Sequence, residues 1–388
     1  MHPRIPNSPA TLPRPLALRR AIHAVALGGI VLTTPALAQT PSLRFIQPSP
    51  GYSRLWLEDI ADDGTVVGMS YNGEFLGLTE PVFRETPAGV RTEYGHGIYP
   101  RISGDGHVVA VYRSGPSLLP MLFDDDGSVY ETPTTTFFGV QSRGQIINLD
   151  HDGSVAVIGT SGELAPGVPT EGTFVWNRDD DTVRRAPFPI ESAWERHGSI
   201  SSDGRFITGQ IGPSLFGPVL AYVWDMTQPA FTPMSLPDGS PLITTDAPVI
   251  SGDGRTIFAQ WTSTVMIHDG VSTYWNPGGP LGTPTLLPEF VSNDASVAVG
   301  FSGLFGGWIW TEETGAMLVV DYMRFLGIDL PATARSGRPL LSGDGLHIAG
   351  TLIAEGSGGK FILTIPSPGV WVVPVAIGVL ATRRHRRQ

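Results

Sequence analysis

The sequence predicts an all-β protein folded as a β-propeller, with seven blades. Three observations carry that expectation: a turn-plus-strand pattern that recurs seven times, a second strand element that follows each recurrence, and almost no helical periodicity. An eight-bladed ring, with one copy decayed, and a stacked β-solenoid are the alternatives; solenoid rungs are usually shorter than these periods.

The repeat reads aliphatic, usually Ser, any residue, Asp, usually Gly, then an apolar strand. Its copies begin Ile60-Ala61-Asp62-Asp63-Gly64, Ile102-Ser103-Gly104-Asp105-Gly106, Leu149-Asp150-His151-Asp152-Gly153 and Ile200-Ser201-Ser202-Asp203-Gly204. The rest are Ile250-Ser251-Gly252-Asp253-Gly254, Val291-Ser292-Asn293-Asp294-Ala295 and Leu341-Ser342-Gly343-Asp344-Gly345. Successive aspartates stand 42, 47, 51, 50, 41 and 50 residues apart, the length of one four-stranded blade. Asp-Gly supplies the positive φ angles of a tight β-turn, and the Asp side chain accepts from nearby backbone N–H groups. Copy six carries Ala295 in place of Gly, so a different turn is expected there.

Each bend leads into β-branched or aromatic strand formers such as Val66-Val67, Val108-Val109 and Phe206-Ile207. A second strand begins 12 to 22 residues after the Asp of each bend, at 82–84, 121–123, 174–176, 221–224, 265–267, 307–310 and 360–363. Further turns, such as Thr311-Glu312-Glu313-Thr314-Gly315, open another short strand, giving three to four strands per period. Only 319–326 hints at a helix of one or two turns.

Composition narrows the class. Forty-eight Gly and 35 Pro supply the turns, and 41% apolar residues leave enough for a large core. The chain has no Cys, which excludes disulfides, thiolate metal sites and cysteine nucleophiles together. Eight of the 25 basic residues lie in residues 1–38 and 366–388, leaving 17 against 36 acids between them, a net charge of −19. A surface of that sign repels phosphate backbones, so a nucleic-acid partner is not expected.

The ends read as targeting segments. Arg19-Arg20 closes a basic region, an apolar run covers 21–32, and Thr34-Pro35-Ala36-Leu37-Ala38 ends in the small-x-small pattern of a signal-peptidase site. Residues 1–38 are therefore expected to be a signal peptide cut between Ala38 and Gln39 by signal peptidase, with general secretion as the route; an uncleaved anchor helix is the alternative. At the other end Pro366-Ser367-Pro368-Gly369 precedes an apolar stretch at 370–381 and the cluster Arg383-Arg384-His385-Arg386-Arg387. The stretch is shorter than the ~20 residues that span a bilayer, and its arginines would stay cytoplasmic. A Pro-bearing motif, a short apolar helix and terminal arginines resemble the PEP-CTERM sorting tail, with Pro-Ser-Pro standing where that family has Pro-Glu-Pro. The resemblance implies recognition of Pro366, Ser367 and Pro368 by an exosortase-like protease, transient membrane contact through 370–382, and a cell-surface or secreted location in a bacterium. A plain transmembrane tail anchor is the alternative. The domain expectation is signal peptide 1–38, repeat domain 39–365 and sorting segment 366–388.

The repeat itself, an Asp-Gly bend and strand followed by Val-Trp or Ile-Trp and a Thr-Glu-Glu-Thr-Gly turn, resembles bacterial extracellular repeats of the HAF type, most closely at 291–315. That resemblance implies repetition and export, and no chemistry.

No catalytic constellation stands out: there is no Gly-x-Ser-x-Gly elbow, and Gly356-Ser357-Gly358-Gly359-Lys360 lacks the Ser/Thr and helix of a phosphate loop. Asp124-Asp125-Asp126, Asp179-Asp180-Asp181 and Asp150-x-Asp152 hold only fragments of a calcium loop and read as turns. His107, His151 and His347 occupy unequal repeat positions, which argues against a symmetric metal site. No cofactor or metal is expected. Trp176, Trp224 and Trp310 recur at similar positions and should pack between blades; Trp56, Trp194 and Trp275 fall outside the pattern and are the candidates for exposed ligand contacts. The function expected is binding or structural, toward a glycan or extracellular matrix, with a polysaccharide hydrolase or lyase on the same ring as the alternative.

Overall fold

The computed structural model describes residues 40–366, apart from 74–79, 114–119, 133–134, 138–139, 143, 161–162, 166–167, 170–171, 188–193, 213–218, 245, 261–262, 282–285 and 355–356. The segment 1–38 expected to be a signal peptide, with the Ala38–Gln39 junction, and the tail from Ser367 and Pro368 onward, lie outside the described residues.

Among the described residues seven antiparallel blades follow one another along the chain, six of four strands and the last with a fifth, two-residue strand, Arg335–Ser336, paired to the far end of His347–Ala354. Blade one comprises Arg54–Ile60, Val66–Tyr71, Pro81–Glu85 and the first half of Arg91–Ile102. The second half of that strand opens blade two, completed by Val108–Arg113, Pro120–Asp124 and Val129–Glu131. One 12-residue strand thus serves two blades, bending at a register shift between Ile98 and Arg101 where Tyr99 takes a left-handed φ of 51°. Blades three and four are Gly144–Leu149, Val155–Thr160, Gly172–Asn177, Thr182–Arg185 and Trp194–Ile200, Phe206–Gly212, Leu220–Asp225, Thr232–Pro233. Blades five and six are Val249–Ile250, Thr256–Gln260, Thr264–His268, Val271–Tyr274 and Phe290–Val291, Val297–Ser302, Gly306–Thr311, Gly315–Leu318. A helix, Val319–Phe325, covers the link to blade seven.

Blade seven takes Leu340–Leu341, His347–Ala354 and Ser357–Thr364 from the end of the chain and Ser42–Ile46 from its start. The first strand therefore closes the ring as the outermost strand of the last blade, removing the free edge that a linear stack would leave. The fold is a seven-bladed β-propeller. Two small hairpins, Thr135–Phe137 with Val140–Ser142 and Glu163–Ala165 with Val168–Pro169, lie beside blade three in sequence.

The core sits in the seams. Apolar clusters join one to two (Val67, Val109), two to three (Leu122, Trp176), three to four (Val157, Tyr222) and four to five (Ala221, Val265). Others join five to six (Phe258, Trp308), six to seven (Ile309, Phe361) and seven back to one (Ile362, Phe83). A middle strand buried on both faces needs a continuous apolar run rather than alternation, which is why Val108-Val109-Ala110-Val111 reads as it does. The closing strand is also held by charge. Glu85, buried on the third strand of blade one, receives Arg44 at 2.6 Å from the closing strand and Arg91 at 2.5 Å, while Arg91 reaches the Gln47 carbonyl at 2.6 Å.

Candidate functional site

The seven bends connect the innermost strand of each blade to the second. In every copy the N–H of the Gly position donates to the carbonyl three residues before it, as from Gly106 to Ser103 at 2.9 Å. Gly64, Gly106, Gly153, Gly204, Gly254 and Gly345 have φ between 69° and 82°, and none of the preceding aspartates is left-handed. The bend is therefore a turn followed by one left-handed residue, where the sequence reading assigned positive φ to the Asp-Gly pair. Ala295 corrects a second expectation. Its φ of 59° and its bond to the Ser292 carbonyl at 3.0 Å repeat the Gly geometry, so copy six keeps the same turn and carries the strain of a Cβ there.

The recurring Ser and Asp form a fixed hydrogen-bond unit. Ser103 Oγ donates to Asp105 Oδ1 at 2.6 Å, the His107 N–H donates to the same oxygen at 3.0 Å, and the Val108 N–H donates to Ser103 Oγ at 2.9 Å. The same three bonds recur around Asp203, Asp253, Asp294 and Asp344. Asp63 keeps the bond from Thr65 N–H at 2.7 Å without a Ser, and Asp152 that from Ser154 N–H at 2.9 Å. The aspartates are spent on turn geometry. Asp150 replaces the Ser in copy three and accepts from Val155 N–H and Ser154 Oγ at 3.0 Å each; burial pushes its carboxyl up to about 6.

The variable position before each Asp forms a second ring, at one end of the channel. Asp62, Gly104, His151, Ser202, Gly252, Asn293 and Gly343 all line the same central cavity of about 910 Å³. Backbone bonds run from bend to bend: Asp62 to Gly104, Asp105 to His151, His151 to Ser202, Ser202 to Gly252, Asp253 to Asn293 and Asn293 to Gly343, at 2.5 to 3.0 Å. The three glycines let larger neighbours meet over them. His151 Nδ1 comes within 3.5 Å of Asp62 Oδ2 across Gly104, and Ser202 Oγ donates to Asn293 Oδ1 at 2.6 Å across Gly252. A Cβ on Gly104 would collide with His151, and one on Gly252 with Asn293 and Ser202. Four polar side chains thus floor the channel.

Above the floor the wall is charged. Arg101 donates to the Ile147 carbonyl at 2.8 Å and to Glu58 at 3.3 Å; burial raises the Glu58 carboxyl in spite of Arg101. Asp59 accepts from Ile102 N–H in the next blade at 3.1 Å, and burial raises it as well. Asp59, Asp62, Asp150, Asp246 and Glu289 line the cavity against two guanidiniums, Arg101 and Arg338, a formal excess of negative charge. Arg338 pairs with Glu289 at 2.5 Å near the open end. That mouth also carries the tip of blade six, where Phe301, Leu304 and Phe305 line the cavity and stay exposed, Leu304 at 89%.

Other sequence candidates disperse. Asp124 receives Arg178 at 2.6 Å, Asp126 receives Ser128 N–H at 2.8 Å, and Asp125 receives His107 at 2.6 Å and Arg84. Of the second acidic run, Asp181 accepts from the Trp176 indole at 3.0 Å and Asp180 from Thr182 N–H at 3.1 Å. Among the described residues no group of three or more His, Asp or Glu is arranged to hold a metal ion. His347 sits in the seam with its pKa lowered by burial. Trp176 and Trp224 are buried between blades. Trp56 is 47% exposed beneath Lys360, 5.0 Å from its ring. Trp275 is a correction: it is 5% exposed, wedged edge-on between Phe258 and Trp310, because the long link after blade five folds back into the seam. The Trp194 side chain lies outside the described residues. Sequence reading missed the floor ring, whose signal was the polar-or-glycine character of the variable position before each Asp.

No family model matches the chain, and no curated protein matches it. Among solved structures it is similar to oligogalacturonate lyase from Vibrio parahaemolyticus, at 12% identity and a TM-score of 0.48, covering 85% of this chain and 98% of that one. It is similar also to the β-propeller domain of the Trilobed protease from Pyrococcus furiosus, at 13% identity and a TM-score of 0.39, covering 81% and 86%. A puromycin hydrolase gives 12% identity and a TM-score of 0.48, covering 78% of this chain and 50% of that one. At these scores the likenesses bear on neither substrate nor activity.

Proposed function

We propose that the chain is an exported, surface-sorted β-propeller that binds a neutral or cationic ligand, glycan or matrix component, at the open mouth of its channel. The observation that supports it most is the cavity itself: floored by paired polar side chains at one end, open at the other, and lined by five carboxyls against two guanidiniums. Most of these carboxyls already hold backbone amides or guanidiniums of their own or neighbouring blades, which suits a rigid binding wall. A negative channel disfavours polyanionic chains. Export rests on the signal-type N-terminus, and sorting on the tail that resembles PEP-CTERM.

The alternative, an extracellular polysaccharide hydrolase or lyase, draws on one feature, the Asp62–His151 pair at 3.5 Å on the channel floor. Screening the secreted chain against neutral, cationic and anionic glycans, with product analysis in parallel, separates the two. Retention of neutral or cationic glycans without product release supports binding. Product release that is lost in His151→Ala supports the enzyme, and preference for anionic glycans contradicts both the charge argument and the binding proposal.

A further inference from the structure

The channel wall has two unlike arcs. Immediately before the aliphatic position of each repeat stand, from blade one to blade seven, Asp59, Arg101, Asn148, Ser199, Val249, Phe290 and Leu340. Each of the first four stitches its blade to the innermost strand of the next. Asp59 accepts from the Ile102 N–H at 3.1 Å, and Arg101 donates to the Ile147 carbonyl at 2.8 Å. Asn148 Nδ2 donates to the Gly198 carbonyl at 3.0 Å, and Ser199 Oγ accepts from the Ile250 N–H at 2.7 Å. Val249, Phe290 and Leu340 have no polar side-chain atom, so this stitching stops at blade five. Val249 and Phe290 line the cavity, and Leu340 is buried in the seam with blade one. On the same arc lie Leu287 and Pro288 and the exposed lip of Phe301, Leu304 and Phe305. Glu289 and Arg338 of this arc neutralise each other in an ion pair of 2.5 Å. On the other arc the carboxyls of Asp59, Asp62 and Asp150 outnumber the guanidinium of Arg101. One side of the channel is therefore largely apolar, and the facing side is polar with an excess of carboxyls.

Resting on the channel-binding reading above, we propose that the ligand is an extended peptide segment of alternating apolar and basic residues. Its apolar row lies on the arc of blades five to seven and its basic row faces the arc of blades one to four. An extended chain sends successive side chains to opposite sides, so one alternating segment meets both arcs at once. Six such residues reach about 20 Å. The innermost strand of blade one, Arg54–Ile60, runs roughly 23 Å, so the segment matches the depth of the wall. The basic row complements the carboxyl excess. The side chains of Phe301, Leu304 and Phe305 hold neither donor nor acceptor, so they reward an apolar partner and leave a buried hydroxyl unpaired. A glycan carries hydroxyls on both edges of its rings, and one edge would meet the apolar arc without partners.

Calorimetric titration of the purified full chain with defined probes tests this. The probes are the capped peptide Leu-Lys-Leu-Lys-Leu-Lys, its block isomer Leu-Leu-Leu-Lys-Lys-Lys, a glucosamine hexamer and a glucose hexamer. The two peptides share composition and charge and differ only in the sidedness of the extended chain. The alternating peptide is expected to bind about tenfold more tightly than the block isomer. Leu304→Ser, at a position 89% exposed, leaves the fold intact and is expected to weaken the alternating peptide about tenfold through one lost apolar contact. Equal affinity for the two isomers, or unchanged affinity in Leu304→Ser, overturns the two-arc seat and leaves channel binding standing. Binding of either hexasaccharide without the peptides overturns the peptide ligand and again leaves channel binding standing. Failure of all four probes to bind overturns the channel-binding reading and this inference with it.

Discussion

The backbone N–H of Asp344 donates to Oδ1 of Asp62 across 2.8 Å, joining the last bend of the propeller to the first over 282 residues of chain. Elsewhere in the ring of bends the acceptor is a backbone carbonyl; at the closure it is a side chain. The start of the repeat array and its end meet without the register that internal copies share, and a carboxylate supplies the reach.

Removing that acceptor should loosen the ring. Asp62→Ala removes the acceptor of the Asp344 N–H, an exposed bond that water can partly replace, and is expected to cost about 1 kcal/mol in urea unfolding. Asp62→Asn keeps an oxygen at the same place and should retain most of the stability. Equal losses from both substitutions would show that the charge, not the closure bond, is what matters.

Glu85 anchors the closing strand through Arg44 and Arg91. Glu85→Ala strands two guanidiniums in a half-buried site and should cost about 3 kcal/mol. The loss should concentrate at Ser42–Ile46, whose amides are expected to exchange faster than those of blade four. Uniform acceleration in all blades would contradict a local anchor.

Ala295 holds a conformation that suits glycine. Ala295→Gly is expected to raise stability by about 1 kcal/mol, relieving the Cβ strain at some cost in unfolded-state entropy. Gly204→Ala should act in the opposite direction, since its Cβ would meet Asp150 Oδ2 and Val155 at 2.9 Å. Thermal unfolding of the two variants should shift to opposite sides of the parent chain.

Glu195 lies between blades three and four, accepting from Thr173 N–H at 3.1 Å and Tyr222 OH at 3.3 Å, and burial pushes its carboxyl up to about 7. The unfolded chain gives up this proton near 4.5 while the folded chain keeps it to about 7. The folded state therefore binds more protons in between, and stability should fall as pH rises from 4.5 to 7, by up to about 3 kcal/mol. Asp150, raised to about 6, acts in the same sense over a lower window. Glu195→Gln should flatten the decline in unfolding midpoint between pH 5 and pH 8; an unchanged slope would place the dependence elsewhere.

What the sequence determined by itself is what short-range chemistry controls. The seven bends and their number follow from Ser, Asp and Gly within five residues of one another, as the bonds around Asp105 display. The middle strands are equally local, because burial on both faces leaves an unbroken apolar run such as 108–111. Innermost strands of two residues, such as Phe290–Val291, were invisible because they are too short to carry a period. Only the tertiary structure decided which sheet the first strand completes, that Asp62 faces His151 over a glycine from the blade between them, and that Trp275 is core. Those facts depend on closing a ring, which brings residues hundreds of positions apart within hydrogen-bond reach and leaves no trace in spacing along the chain.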